Sequence, residues 1–278
     1  MKIPTGGTGA KIGIVGFGVV GRAIARGFKR LGFEVVINDL CKDKLQDENF
    51  KFLSKRDLMN YCDFVFLCID TPLDKENKKS DLSSINRAID ELSKCPLDRK
   101  IIIIKSTIPP GTTKRYMLKY PKMAIVYSPE FLRERSAEQD FLRPDRIVLA
   151  GKHEHVTRVK ELFNGFSTNF VLLEDPTIAE MIKYASNCLL ATKVSYANQI
   201  RLLCDRLGID AKVVMDAVML DHRFGKSHLD PMKGAFKGRC LPKDLQTLIT
   251  VGQELGVDVS LLEAVWALNE KIKRVECG

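Results

Sequence analysis

Residues 11–39 constrain the fold of this chain more than any other stretch. A short β-branched apolar run, Lys11 to Val15, leads directly into Gly16-Phe17-Gly18-Val19-Val20-Gly21. An amphipathic pattern follows, with Ala23, Ile24, Gly27, Phe28 and Leu31 at helical spacing. Phe33 to Ile37 reads as a second strand, ending in Asn38-Asp39. In a strand–turn–helix of this kind Gly16 permits the tight turn, Gly18 lets a ligand approach the backbone, and Gly21 lets the helix pack against the strand. The unpaired N–H groups at the helix start then face a diphosphate. An acid at the end of the next strand completes a dinucleotide fingerprint. Asp39 would accept hydrogen bonds from ribose hydroxyls and repel a 2′-phosphate, which favours NAD over NADP. Lys42 and Lys44 leave some room for NADP, and a flavin site or a cofactor-free fold would share the glycine pattern.

The pattern continues. Phe64 to Ile69 reads as a strand ending in Asp70-Thr71-Pro72. Ile101 to Ile104 reads as another, running into Lys105-Ser106-Thr107-Ile108-Pro109-Pro110-Gly111, and further strands fit Ile147–Leu149 and Phe170–Leu173. Strands alternating with helical segments imply an α/β fold with a Rossmann-type, doubly wound parallel sheet. Ligands bind beyond the carboxyl ends of such strands, which singles out Asp70, Thr71, Pro72, Ser106 and Thr107. Ordinary turn chemistry explains the same residues equally well. From Pro176 the period becomes helical, through Ile178, Met181, Ile182, Ala185, Leu189 and Leu190 to about Leu207. Asp210–Leu220, Pro242–Leu255 and Val259–Val275 also read as helices. The expected organisation is a flexible tail over 1–10, a dinucleotide-binding domain over 11–175 and an α-helical dimerisation segment over 176–278.

Composition narrows the class. The eight cysteines show no C-x-x-C spacing and the four histidines are scattered, so neither a disulfide scaffold nor a zinc site is indicated. Reduced thiols fit a cytoplasmic protein. No apolar run approaches the roughly 20 residues that a membrane helix needs, and Met1 to Ala10 lacks the apolar centre of a signal peptide. The net charge of +9 is spread among acids with no nucleic-acid-binding motif. Such a field attracts small anions, nucleotide sugars included.

A third signal lies in Gly238-Arg239-Cys240-Leu241-Pro242-Lys243-Asp244. If Pro242 occupies the first helical position, where its missing N–H costs nothing, Cys240 sits at the positive end of a helix. That position stabilises a thiolate, the form that attacks carbonyl carbon. Most intracellular cysteines are simply small core residues. A hydride-accepting cofactor combined with a nucleophilic thiol points to oxidation past an aldehyde to an acid.

These motifs resemble the UDP-glucose/GDP-mannose dehydrogenase family. The matching stretches are Gly16–Gly21, Ser106–Thr112, Ser128–Glu134, Arg143–Ile147, Lys183–Asn187 with Ala191–Lys193, Asp221–Arg223 and Cys240–Asp244, in the family's order. The resemblance implies a four-electron, NAD-dependent oxidation of a sugar C6 alcohol to a carboxylate. UDP-glucose, giving UDP-glucuronate for polysaccharide synthesis, is the expected substrate. Cys240 would be the nucleophile, with Lys183 and Asn187 in the catalytic pocket. Asp244 would hold a water or proton relay, and Thr107 and Glu130 would position a water, Glu130 acting as base. Glu134, Lys44 and Lys243 would lie with the cofactor. Phe131, Leu132, Arg133 and Phe236 would lie with the sugar, Phe131 and Leu132 through their backbone groups. Arg223 would reach a substrate in a partner subunit, which implies a homodimer through the long helix.

Bland explanations exist for each residue: a solvated helix lysine for Lys183, a surface amide for Asn187, a helix-dipole acid for Asp244, and a surface pair for Glu130 and Glu134. Family members usually continue with a further nucleotide-sugar-binding domain, so the resemblance implies a short form. The family's glycine-rich approach to the cysteine is here Gly234-Ala235-Phe236-Lys237-Gly238-Arg239. Ala235, Lys237 and Arg239 would either crowd the ligand there or, through Lys237 and Arg239, supply cations for the substrate phosphates, and the second is the expectation. Other readings are a dehydrogenase of GDP-mannose or a UDP-N-acetylhexosamine, a non-catalytic NAD-binding homologue, and a hydroxyacid dehydrogenase that needs no thiol.

Overall fold

Period-two alternation along each strand builds two cores from one sheet. The computed structural model describes residues 9–41, 50–74 and 76–277. Among them, β1 (Lys11–Val15), β2 (Glu34–Asn38), β3 (Lys51–Phe52), β4 (Phe64–Leu67), β5 (Ile101–Ile104), β6 (Ala124–Tyr127), β7 (Arg146–Gly151) and β8 (Asn169–Leu173) form a sheet in the order β3-β2-β1-β4-β5-β6-β7-β8. Ile12, Ile14, Phe64, Phe66, Ile101 and Ile103 enter one core. Val15, Val65, Leu67, Ile102 and Ile104 enter the other. With both faces covered, the strands read as continuous apolar runs. The order reverses between β1 and β4, the switch point at which doubly wound sheets bind ligands.

The helices beside the sheet are α1 (Val19–Arg30), α2 (Lys55–Tyr61), α3 (Ser83–Ser93), α4 (Thr112–Lys119), α5 (Ala137–Leu142) and α6 (His153–Glu161). α7 (Pro176–Leu207) follows, then α8 (Ala211–Val218), α9 (Cys240–Glu254) and α10 (Ser260–Cys277). The chain falls into two compact units. Residues up to Pro72 together with Asp81–Lys183 make the first, and Leu73–Ser80 with the chain from Tyr184 make the second. The division lies inside α7 rather than at its start, because the first turns of α7 pack Ala179 and Ile182 into the sheet's core. The expected tail falls largely outside the described residues.

The sheet departs from the sequence expectation in direction and extent. β7 runs antiparallel to β6, with Val126 opposite Gly151 and Tyr127 opposite Ala150, so the sheet is mixed rather than wholly parallel. An apolar run records burial but not the end from which the chain re-enters the sheet. β3 and β6 were not anticipated. β3 has only two residues, and the four of β6 are too few for periodicity to declare a strand.

Phe28 anchors the core beneath α1. It is fully buried, with the rings of Phe33, Phe66, Phe141 and Phe163 at centroid distances between 5.1 and 5.6 Å. Phe28→Ala should lower the unfolding free energy by about 3–5 kcal/mol in urea titrations. A loss below about 1.5 kcal/mol would mean that the surrounding rings collapse into the space.

Candidate functional site

The glycine turn is closed toward the protein and open toward solvent. Gly16 has φ 93°, and a Cβ there would lie 2.5 Å from the Cys68 carbonyl oxygen. A Cβ on Gly21 would lie 1.9 Å from the Gly16 carbonyl oxygen. Gly18, the N-cap of α1, has nothing within 4 Å of its Cβ position. This is the cradle that a diphosphate requires, with the N–H groups at the start of α1 lining it. Asp39 holds the turn from the next strand. One carboxylate oxygen accepts from the Phe17 N–H at 2.5 Å and the other from the Cys41 N–H at 2.8 Å. Phe17 is buried, Val20 half-buried and Val19 exposed. Lys42 and Lys44 lie outside the described residues.

Hydroxyl groups join the loops that follow β4 and β5. Ser106 Oγ accepts from the Ile69 N–H at 3.0 Å, and Thr71 Oγ1 donates to the Thr107 carbonyl at 2.6 Å. Asp70 and Pro72 flank Thr71 in the first of these loops. At the end of β5, Lys105 Nζ donates to Ser128 Oγ and to the Pro129 carbonyl, each at 3.1 Å. Glu130 comes next in that loop. Lys183, 4% exposed, donates from Nζ to the Glu130 carbonyl at 2.7 Å and to its carboxylate at 2.9 Å. Lys183 is therefore a buried, doubly bonded ammonium and not a solvated helix lysine. Its Nζ also lies 5.5 Å from the centre of the Phe131 ring.

The residues next to Glu130 have partners of their own. The Leu132 N–H is bonded to Glu130 Oε2 at 2.7 Å, so it is already committed within its own loop. The Phe131 ring lies under the Arg146 guanidinium, 3.8 Å from its centre. Arg133 pairs with Asp140 through two side-chain bonds of 3.0 and 2.6 Å, which holds the Asp140 carboxyl down at about 2. Glu134 is exposed in a short 3-10 turn and makes no described pair with Glu130. Both partners of Arg133 and Lys183 were invisible in the sequence, since each pair closes across a loop.

In the second unit the thiol helix starts earlier than expected. Arg239 is the N-cap of α9, so Cys240 is its first residue and Pro242 its third. The N–H groups of the whole first turn lack helical partners, so proline is tolerated at any of these positions. Cys240 thus lies within the positive end of α9, and it is exposed. One turn further, Asp244 is 1% exposed and accepts from Asn187 Nδ2 and Lys243 Nζ, both at 2.5 Å. Asn187 is likewise buried. Asn187 is therefore not the surface amide that a bland reading allows, and Lys243 is held by its neighbouring carboxylate.

The remaining expected residues are placed as follows. Arg223 is exposed and pairs with Asp221, its Nε 3.0 and 2.9 Å from the two carboxylate oxygens. Phe236 is 5% exposed and lies in the helical core. Lys237 pairs with Glu276 at 2.7 Å, which takes up part of the charge expected to meet phosphates. Cys68 and Cys188 are pushed up to about 12 by burial, which makes them inert beside the exposed Cys240. Sequence reasoning passed over Lys105, Glu180 and Asn269. Lys105 did carry a signal, as a charged residue ending a four-isoleucine strand. Among the described residues no cluster of potential metal ligands occurs, and no helix is long and apolar enough to cross a membrane.

Residues 37–167 match the NAD binding domain of the UDP-glucose/GDP-mannose dehydrogenase family, and residues 177–271 match its central domain. The chain belongs to this family. It is 34% identical to a UDP-glucose 6-dehydrogenase of Rickettsia typhi over 86% of its length and 56% of that protein's. It is 31% identical to the UDP-glucose 6-dehydrogenase TuaD of Bacillus subtilis over 94% of its length and 63% of that protein's. A solved UDP-glucose dehydrogenase from Pyrobaculum islandicum superposes with a TM-score of 0.87 at 30% identity, covering 99% of this chain and 71% of that one. The chain thus spans between half and two thirds of the length of these two curated relatives. NAD is the cofactor of the matched domain, and the glycine cradle with Asp39 fits it.

Lys105 titrates in an accessible range. The residue is partly exposed overall, but its ammonium is enclosed, and burial pushes it down from the ordinary 10.5 to about 8. Between those values the unfolded chain binds the extra proton, so this group contributes stability that rises with pH. In urea titrations from pH 7 to 10.5, the wild type should gain stability relative to Lys105→Met above about pH 8. Parallel curves would show that the ammonium is not dehydrated.

Proposed function

We propose that this chain carries the NAD-binding and thiol-bearing portions of a UDP-glucose 6-dehydrogenase, which converts UDP-glucose to UDP-glucuronate in two oxidations. The observation that carries the reading is Cys240, exposed as the first residue of α9 with the buried Asp244–Asn187 pair one turn behind it. A dehydrogenase that stops at a carbonyl needs no thiol there. The chemistry that NAD supplies when bound is acceptance of one hydride in each oxidation. The Gly16–Gly21 turn would hold its diphosphate and Asp39 its ribose.

The residues then divide the work. Lys183 stabilises the alkoxide formed when the C6 hydroxyl passes its proton to a water molecule, so that hydride can leave the carbon. The Cys240 thiolate adds to the resulting aldehyde carbon, forming a C–S bond and an oxyanion. Asn187 donates to that oxyanion, with its amide oriented by Asp244. Loss of the second hydride re-forms the carbonyl as a thioester. Glu130 takes a proton from water, the water oxygen adds to the thioester carbon, and the C–S bond breaks to return the thiolate.

A homodimer belongs to the same reading. Leu189, Tyr196 and Leu203 lie seven residues apart along one side of α7 and are 62%, 53% and 52% exposed. A second copy of α7 against this apolar stripe would bury it. Leu189→Glu with Leu203→Glu should convert the dimer to a monomer in sedimentation velocity. An unchanged sedimentation coefficient would remove α7 from the interface.

The decisive measurement is NADH formed per UDP-glucose consumed with excess NAD. The expected value is about two, as two successive oxidations require. Cys240→Ser should bind NAD normally yet lose sustained NADH production by at least about a hundredfold. Full activity in that variant, or one NADH per sugar in the wild type, would overturn the thioester scheme.

A further inference from the structure

The backbone leading to Cys240 is held from α10 by a side chain that the reaction scheme does not use. Asn269, 2% exposed, accepts from the Phe236 N–H through Oδ1 at 2.8 Å and donates from Nδ2 to the Phe236 carbonyl at 3.2 Å. Both hydrogen-bonding groups of one loop residue are thus satisfied by one amide, as a neighbouring strand would satisfy them. Two turns along α10, Glu276 accepts from the Ala235 N–H at 2.8 Å and pairs with Lys237 at 2.7 Å. On the other side, Asn198 of α7 donates to the Gly234 carbonyl at 2.8 Å. Three consecutive residues, 234–236, are therefore bonded through their backbones. Gly234 has φ 68° and ψ −153°, a backbone geometry open essentially to glycine alone, and a Cβ there would displace the Glu276 carboxylate from its place beside the Ala235 N–H.

Only Lys237, Gly238 and Arg239 separate the clamped segment from Cys240. Gly238 has φ 86° and turns the chain into α9. A thiol reached by so short a lead inherits its position from the point where that lead is fixed. Phe236 is fixed twice, by its ring in the helical core and by Asn269 on its backbone. α10 is in turn fixed to α7, since Ser195 Oγ donates to the Val265 carbonyl at 3.2 Å.

We propose that Asn269 is a positioning residue for Cys240: by gripping both backbone groups of Phe236, it sets where the thiol stands at the start of α9. The inference rests on the assignment of Cys240 as nucleophile, although the placement of the thiol can be tested without substrate. Asn269→Ala leaves the Phe236 groups without their partner and loosens the lead. Asn269→Asp keeps the acceptor for the Phe236 N–H but sets a carboxylate against the Phe236 carbonyl.

The pH dependence of Cys240 carboxymethylation by iodoacetate, read on its peptide by mass spectrometry, reports the thiolate without any turnover. Arg239, Lys243 and Asp244 remain in both variants, so a change reflects the thiol's place relative to the helix end. The midpoint should rise by about half a pH unit in Asn269→Ala, as loss of contact with a helix N-terminus predicts. In parallel, kcat for NADH formation from UDP-glucose should fall at least tenfold. The NAD Kd should stay within twofold, and KM for the sugar should change less than kcat.

If Asn269→Ala proves unfolded by its thermal melt, Asn269→Asp is read in its place, with shifts in the same direction. A folded variant with wild-type midpoint and kcat would overturn the proposal. A shifted midpoint in the variant, with a wild type that oxidises no sugar nucleotide, would preserve the positioning role and remove the reaction assigned to the thiol.

Discussion

The N-terminal unit depends on two charged side chains, three residues apart on α7, that have no water to solvate them. Glu180 is fully buried and accepts from the Gly111 N–H at 2.5 Å, the Thr113 N–H at 2.7 Å and Thr113 Oγ1 at 2.6 Å. Lys183 donates to the carbonyl and carboxylate of Glu130. Removing an ion from water costs several kcal/mol, so each charge persists only while its bonds are made. Burial raises the Glu180 pKa, and the three bonds to Gly111 and Thr113 oppose that rise. Through Glu180, α7 fixes the loop after β5, which carries Ser106 and Thr107. Through Lys183 it fixes the loop after β6, which carries Glu130.

The same helix continues into the second unit, where Asn187 engages Asp244 and Asn198 engages Gly234. Polar groups recur along α7 on the side that is buried in each unit: Glu180, Lys183 and Asn198 meet loops or a helix start, and Asn187 meets Asp244 one turn into α9. Such a helix specifies where irregular backbone may lie, because each contact has a direction as well as an energy. The helix is therefore a template for the loops, and its apolar exposed stripe is a separate property of its opposite side.

Among the described cysteines, burial separates Cys240 from thiols such as Cys68 and Cys188; Cys41 is exposed as well, but it does not stand in the first turn of a helix. Cys68 and Cys188 are raised to about 12 by burial, which removes the thiolate at neutral pH. Cys240 is exposed in the first turn of α9, where backbone N–H groups favour negative charge. The distinction comes from the environment, since nothing in the residue type separates them.

Much of this was legible in the sequence. Gly16, Gly18 and Gly21 after a β-branched run specify the nucleotide turn, because only glycine admits the φ of 93° and the carbonyl 1.9 Å from a Cβ. The spacing of α7 also gave its limits, since 32 residues hold an unbroken helical period. By contrast, the reversed direction of β7, the early start of α9 and the partners of Lys105, Lys183, Glu180 and Asn269 had no local signature. Side-chain periodicity reports which face of a segment is buried, and composition reports which chemistry is present. The partner of a buried charge or amide lies 33 to 69 residues away in these cases, except where Lys105 meets a loop 23 residues on. Chain spacing carries no such information: only the folded backbone brings those donors and acceptors within bonding distance, and burial then makes the pairing obligatory.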